Sequence, residues 1–113
     1  MPTLIISTNS TTAINTQQLQ QLAEGFATSI FQPYSNCNVM INRNKELLFN
    51  GTADDCAVVG YHLTTNNGRA DNSSGSNLDD DQRYLANENI IRSLGELISV
   101  WFRIPEERIE FGF

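Results

Sequence analysis

Apolar and polar positions in the first part of the chain form one strand pattern and one helix pattern. Thr3 to Thr8 contains the continuous apolar run Leu4-Ile5-Ile6, which predicts a strand covered on both faces. From Leu19 to Ile30 the apolar residues recur at helical spacing, with Asn15 or Thr16 available as the N-cap. The sequence therefore predicts a strand followed by an amphipathic helix of about four turns.

A second strand and a turn follow this helix. Pro33 ends the helix, and Cys37 to Asn42 then alternates apolar and polar residues, which predicts a strand with its odd-numbered residues on one face. Asn50-Gly51 predicts a turn. After that turn, Cys56 to Leu63 has the composition of a central strand.

The rest of the chain repeats the order of helix and strand. Asp79 to Asp81 suit the positively polarised N-terminal end of a helix, and a last strand is predicted from Ile109. The predicted apolar face of that helix consists of Ile90, Ile91, Leu94, Leu97, Ile98, Trp101 and Phe102.

The two halves also share a junction. Phe31-Gln32-Pro33 before Cys37 corresponds to Arg103-Ile104-Pro105 before Ile109. The sequence thus predicts an α+β two-layer fold, a single domain over residues 1–113, in which duplicated β-α-β units form a four-stranded mixed sheet with both helices on one face. The bare sheet face would meet other subunits in a closed symmetric oligomer.

Charge and composition restrict the classes of function. The formal charge is −6 and Lys and Arg form no cluster, so neither nucleic acid nor an anionic membrane is an expected partner. No apolar run approaches the roughly 20 residues that span a bilayer, and no secretory signal is recognisable, so a cytoplasmic protein is expected. Cys37 and Cys56 lack the spacing of zinc or disulfide sites and are predicted to be small buried residues in strands.

One segment fits neither pattern. Thr64 to Gln82 is rich in Asn, Ser, Gly and Asp, and residues 65–82 are predicted to be an inserted flexible loop, either functional or simply unordered. Asp79 to Asp81 could suggest a metal site, but three consecutive carboxylates of a regular helix cannot converge on one ion. Helix capping explains them better, and no metal or cofactor is predicted.

Pro2 is the candidate for chemistry. If Met1 is removed, Pro2 becomes a free secondary amine at the start of a buried strand. An α-amino group titrates at about 7.7–8.0 in model peptides, and desolvation favours its neutral form, so this amine could serve as a general base. The alternative is chance, since proline makes up about 5% of average sequence.

Four stretches of the chain resemble the macrophage migration inhibitory factor family of the tautomerase superfamily. Met1 to Asn9 is similar to the family's proline-led first strand, and the junction at Pro33 to its Gly-Lys-Pro junction. Phe49 to Ala57 is similar to its Phe-Gly-Gly-Ser/Thr…Pro-Cys-Ala strand entry, and Ile104 to Ile109 to its Ile-x-Pro-x-Arg-Val/Ile strand entry. The resemblance covers nearly the whole chain outside the predicted loop.

The resemblance implies a homotrimer with active sites at subunit boundaries, in which the N-terminal proline transfers a proton in keto–enol tautomerisation of aromatic 2-oxo acids. Pro2 matches that base, Gln32 stands where the family has a substrate-binding lysine, and Thr64 where it has a backbone-contacting isoleucine. From the adjacent subunit, Glu110 would take the place of a tyrosine and Gly112 that of an asparagine.

These departures from the family pattern bear directly on the chemistry. Gln32 offers a neutral amide where a lysine would offer a charge to a carboxylate substrate. An ionised Glu110 cannot donate a hydrogen bond and would hold the Pro2 amine protonated, whereas a buried, protonated Glu110 could donate. The chain also ends at Phe113, which predicts a more open pocket than the family's.

Three functions remain open from sequence. The leading one is a trimeric tautomerase with weak or altered activity toward a small enolisable carbonyl compound, and the alternative is a catalytically silent trimeric binding or scaffold protein. The third is hydration or decarboxylation of an acrylate, with Glu110 activating water. His62 is interpreted as a hydrogen-bonded structural residue. Arg69 is interpreted as a solvated loop charge, although it could fold back to replace the missing lysine.

Overall fold

A computed structural model describes residues 2–33, 37–44, 46–63 and 79–113. The elements in chain order are β1 (Thr3–Thr8), α1 (Thr16–Ser29), β2 (Asn38–Arg43), β3 (Ala57–His62), α2 (Asp80–Phe102), a short 3-10 helix (Glu106–Arg108) and β4 (Ile109–Phe111). Within these ranges, neither helix has the length and apolar character needed to span a bilayer.

The four strands form one mixed sheet in the order β2-β1-β3-β4. β1 is parallel to β2, β3 is parallel to β4, and the central pair β1 and β3 is antiparallel. Each parallel pair is joined by a helix, which confirms the prediction of two β-α-β units side by side in a four-stranded sheet.

Both helices pack on the same sheet face. The side chains of β1 alternate between full and partial burial, with Leu4, Ile6 and Thr8 fully buried beneath the helices. The core joins the sheet to both helices and consists of Leu4, Ile6, Leu22, Phe26, Ile30, Ala57, Val59, Ala86, Ile90, Leu94, Ile98, Phe102, Ile104 and Ile109. One position of the predicted apolar face is wrong: Ile91 is 43% exposed, because the buried stripe of α2 runs through Ile90, Leu94 and Ile98.

Two strands begin one residue later than predicted, which changes the description of the cysteines. Cys37 lies immediately before β2 and is only half-buried, and Cys56 lies immediately before β3 and is fully buried. Neither cysteine is part of a strand, although Cys37 still packs against the edge of the core.

Both helices begin with a capping box. Asn15 caps α1 through the main-chain N–H of Gln18 at 2.8 Å, and Asp79 caps α2 through that of Gln82 at 2.8 Å, each with the reciprocal glutamine contact. The helix α2 therefore begins at Asp80, so the predicted loop boundary at Gln82 is wrong, whereas the prediction that Asp79 to Asp81 lie at a helix N-terminus is confirmed. Residues 65–78 of the predicted loop lie outside the described residues.

The C-terminal ends of the two helices are alike, as their sequence similarity suggested. Phe31 after α1 has φ 61° and Arg103 after α2 has φ 57°, both in the left-handed region. The N–H of Gln32 then donates to the carbonyl of Ala27 at 2.9 Å, and the N–H of Ile104 donates to the last turn of α2 at 3.0 Å. This is the Schellman motif, which usually has glycine at the left-handed position.

We expect Phe31→Gly to raise the free energy of unfolding by about 1 kcal/mol, because glycine adopts the left-handed conformation without the steric penalty of a side chain. Phe31 is 50% exposed, so little packing is lost. Urea unfolding at fixed protomer concentration measures the change. The matched control is Phe31→Ala, which shortens the side chain but keeps the penalty; equal stability of the two variants would contradict the explanation.

Candidate functional site

Pro2 lies at the end of the sheet where β1 and β2 begin. It is half-buried, and its carbonyl accepts a hydrogen bond from the main-chain N–H of Asn38 at 2.9 Å. Since Thr3 pairs with Asn38 and with His62, β3 ends beside the same position. Pro2 thus leads directly into β1, a central strand with β2 on one side and β3 on the other.

Gln32 lies at the same end of the molecule. The helix α1 connects two parallel strands, so it runs antiparallel to them and ends near the point where they begin. The main chain of Gln32 is fixed by its bond to Ala27, and its side chain is half-buried. Topology therefore brings Pro2 and Gln32, two of the three site residues predicted from one subunit, to one end of the sheet.

Cys37 is the neighbour of Pro2 at the start of β2. Burial raises the pKa of its thiol above the usual value, and the thiol donates to the carbonyl of Pro33 at 3.7 Å. At neutral pH the side chain is therefore a thiol and not a nucleophilic thiolate. Cys37 therefore places a weakly polar thiol beside Pro2 but does not provide a second reactive group.

An aromatic cluster closes the helix side of this end. Tyr61, opposite Leu4, packs edge-on against Phe26 and Phe113, with ring centroids 5.7 and 5.0 Å apart. Its hydroxyl donates to the side-chain oxygen of Asn87 at 2.5 Å. Burial raises the pKa of Tyr61, and the nearby Arg83 charge opposes this rise. Tyr61 therefore stays neutral and engaged within the fold at neutral pH.

Glu110 is far from Pro2 within one chain. It pairs with Val58, which lies opposite Ser7, and its exposed side chain is on the face away from the helices. Five residues of strand and two strand spacings place it about 16 Å along and about 10 Å across the sheet from Pro2. A single copy therefore does not bring these two predicted site residues together.

The other candidates are distributed as follows. Thr64 and Arg69 lie outside the described residues. His62 is exposed at the end of β3, and Gly112 donates its N–H to the carbonyl of Val59 at 2.8 Å. Asp79 caps α2, and no group of three potential metal ligands occurs within the described parts of the chain.

The sequence profile of the macrophage migration inhibitory factor family matches residues 1–113. The chain belongs to the macrophage migration inhibitory factor family. Comparison with curated protein sequences gives no match.

Solved structures of this family show the same fold at low sequence identity. The macrophage migration inhibitory factor from Giardia lamblia is 16% identical, with a TM-score of 0.66, over 99% of this chain and 96% of that one. The homologue from Prochlorococcus marinus is 19% identical, with a TM-score of 0.68, over 98% and 85%. The protein from Oncomelania hupensis is 13% identical, with a TM-score of 0.69, over 98% and 70%.

At the opposite end of this macrophage migration inhibitory factor fold, Arg43 fixes the chain that leaves β1. Its guanidinium donates to the carbonyls of Ser10 at 2.6 Å and Thr12 at 2.8 Å, and lies 5.2 Å from the centre of the Phe102 ring. The Ser10 hydroxyl also donates to the carbonyl of Phe102 at 2.8 Å. Sequence reasoning missed Arg43, because its partners are separated from it by more than thirty residues.

Arg108 fixes a second connection at that end, the segment from Phe49 to Asp55. It donates to the carbonyls of Thr52, Asp54 and Asp55 and lies 5.2 Å from the centre of the Phe49 ring. This segment makes the predicted turn, with positive φ at Asn50 and Gly51. Arg108, which belongs to the family-like strand entry from Ile104 to Ile109, therefore has a structural role.

A groove of about 540 Å³ lies between the helices, on the surface away from the sheet. Glu24 of α1 and Arg92 of α2 both line it, and both are exposed. Of the predicted site residues that the structure describes, Pro2, Gln32 and Glu110 do not line this groove.

Proposed function

We propose that the protein catalyses keto–enol tautomerisation of an enolisable 2-oxo acid or related small carbonyl compound, with the amine of Pro2 as the general base. The observation that carries the proposal is the half-buried position of Pro2 at the start of a central strand. Desolvation there favours the neutral, basic form of an amine. The reaction requires only proton transfer, so a base and hydrogen-bond donors suffice and no cofactor is invoked.

A second copy of the chain would complete this site. Glu110 lies too far from Pro2 to act with it inside one protomer, so a homotrimer that brings Glu110 from a neighbour is part of the proposal. The sheet face away from the helices supports such contacts, because Met40 is 49% exposed and lies beside the half-buried Ile5. Members of this family generally form oligomers.

The second candidate is a catalytically silent trimer that binds a protein partner. Two side chains favour it: Gln32 supplies no positive charge for a carboxylate, and Glu110 is an exposed carboxylate where a donor would be useful. If the protein is a tautomerase, the same two residues lead us to expect weak activity toward phenylpyruvate, because this substrate carries a carboxylate.

The test is the rate of phenylpyruvate ketonisation by tag-free protein whose intact mass shows that Met1 has been removed. Pro2→Gly is assayed beside it at the same protomer concentration. A rate above buffer that falls in the variant supports the tautomerase. A rate equal to buffer for both proteins, with phenylpyruvate as well as with its methyl ester, would reject it and favour the binding protein.

A further inference from the structure

Most described arginines lie away from the Pro2 end. Arg43 ends β2, Arg103 follows the last turn of α2, and Arg108 directly precedes β4, so all three lie at the opposite end of the sheet. Arg92 is exposed on the outer surface of the helices, in the groove that it lines together with residues from the last turn of α1. Arg83 lies in the first turns of α2, at the Pro2 end.

Negative charge surrounds Arg83 at the Pro2 end. Asp79, Asp80 and Asp81 lie within one turn of it, which leaves an excess of two negative charges at the start of α2. The partial negative charge at the C-terminal end of α1 and the partial positive charge at the N-terminal end of α2 roughly offset each other at this end. Gln32, which follows that helix end, is neutral. The described residues of this end therefore provide little to balance a carboxylate.

We infer that the preferred substrate is an enolisable carbonyl compound without a carboxylate, such as an aldehyde, a ketone or an ester of a 2-oxo acid. This inference rests on the proposed tautomerase function and specifies its substrate class. A carboxylate would be desolvated beside unbalanced negative charge, whereas an ester presents the same reacting atoms without that repulsion. We expect a preference of roughly tenfold or more in kcat/KM.

The experiment compares phenylpyruvate with its methyl ester, each rate being corrected for the uncatalysed reaction in buffer. Gln32→Lys should reduce or reverse the preference for the ester, because it adds the missing charge near Pro2. Gln17→Lys is the matched control: it adds the same charge to an exposed position about 22 Å earlier along α1 and should leave the preference unchanged.

Three results would overturn the inference, and they are distinguishable. Pro2-dependent turnover that favours the acid, with a preference that Arg69→Gln leaves unchanged, would reject the substrate class and keep the tautomerase. A preference for the acid that Arg69→Gln abolishes would also reject the substrate class and would show that Arg69 supplies the cation. Rates equal to buffer for both compounds would reject the proposed function, and the inference with it.

Discussion

Phe102→Ala is expected to lower the free energy of unfolding by about 3–5 kcal/mol, the usual range for removing a fully buried aromatic side chain. Phe102 ends α2 inside the core, so its removal leaves a cavity between helix and sheet. Its ring also underlies the guanidinium of Arg43, which holds the segment after β1. The decrease in the free energy of unfolding should therefore lie in the upper part of that range.

Urea unfolding at one protomer concentration measures the effect, since oligomer formation makes apparent stability depend on concentration. Val100→Ala is the matched control, because it truncates a side chain of the same helix that is 63% exposed; it should change stability by no more than about 0.5 kcal/mol. Similar losses for the two variants would show that Phe102 does not have the structural role described.

The elements that the sequence predicted well are those set by local patterns. Asn15 and Asp79 are caps because a short polar side chain reaches the first free N–H groups of its own helix. The strand faces follow from the alternation of side chains, which requires no knowledge of the neighbouring strand. Asn50-Gly51 makes its turn for a similarly local reason, since both residues tolerate positive φ.

Features that depend on distant contacts or unusual conformations were not predictable from such patterns. Phe31 and Arg103 end their helices in the left-handed region, although residue preferences assign that conformation to glycine or asparagine. Asn9 illustrates the distant contacts: its side chain accepts from the N–H of Cys56 at 2.8 Å and donates to the carbonyl of Ala53 at 3.1 Å. No spacing in the sequence marks such a pair.

The candidate site shows the same division between local and distant information. The position of Pro2 before a strand, and the position of Gln32 after a helix, could be read from local signals, and the topology brings both to one end. Whether Glu110 acts with Pro2 depends on strand order, which separates the two residues within one copy. The proposed site therefore rests on a hypothesis about how copies of the chain assemble, as well as on one about the reaction.

Converting the nitrogen of Pro2 into an amide is expected to lower the corrected rate of tautomerisation by about 10²–10⁴-fold, the usual contribution of a general base. Inserting one alanine between Met1 and Pro2 achieves this, because the alanine then precedes the proline after Met1 is removed. An amide nitrogen has no available lone pair, so it cannot accept the substrate proton. The remaining site residues are unchanged in sequence.

Pro2→Ala is the matched control, because it changes the first side chain but retains a free amine, and it should lose less activity than the extended chain. Oligomeric state and urea unfolding must be equal for both variants, since the added residue lies next to the bond between Pro2 and Asn38. An extended chain as active as the parent would show that the base is another group. The chemistry would then have to be assigned to a side chain, with His62 the first to substitute because it is exposed beside Thr3 at the same end of the sheet.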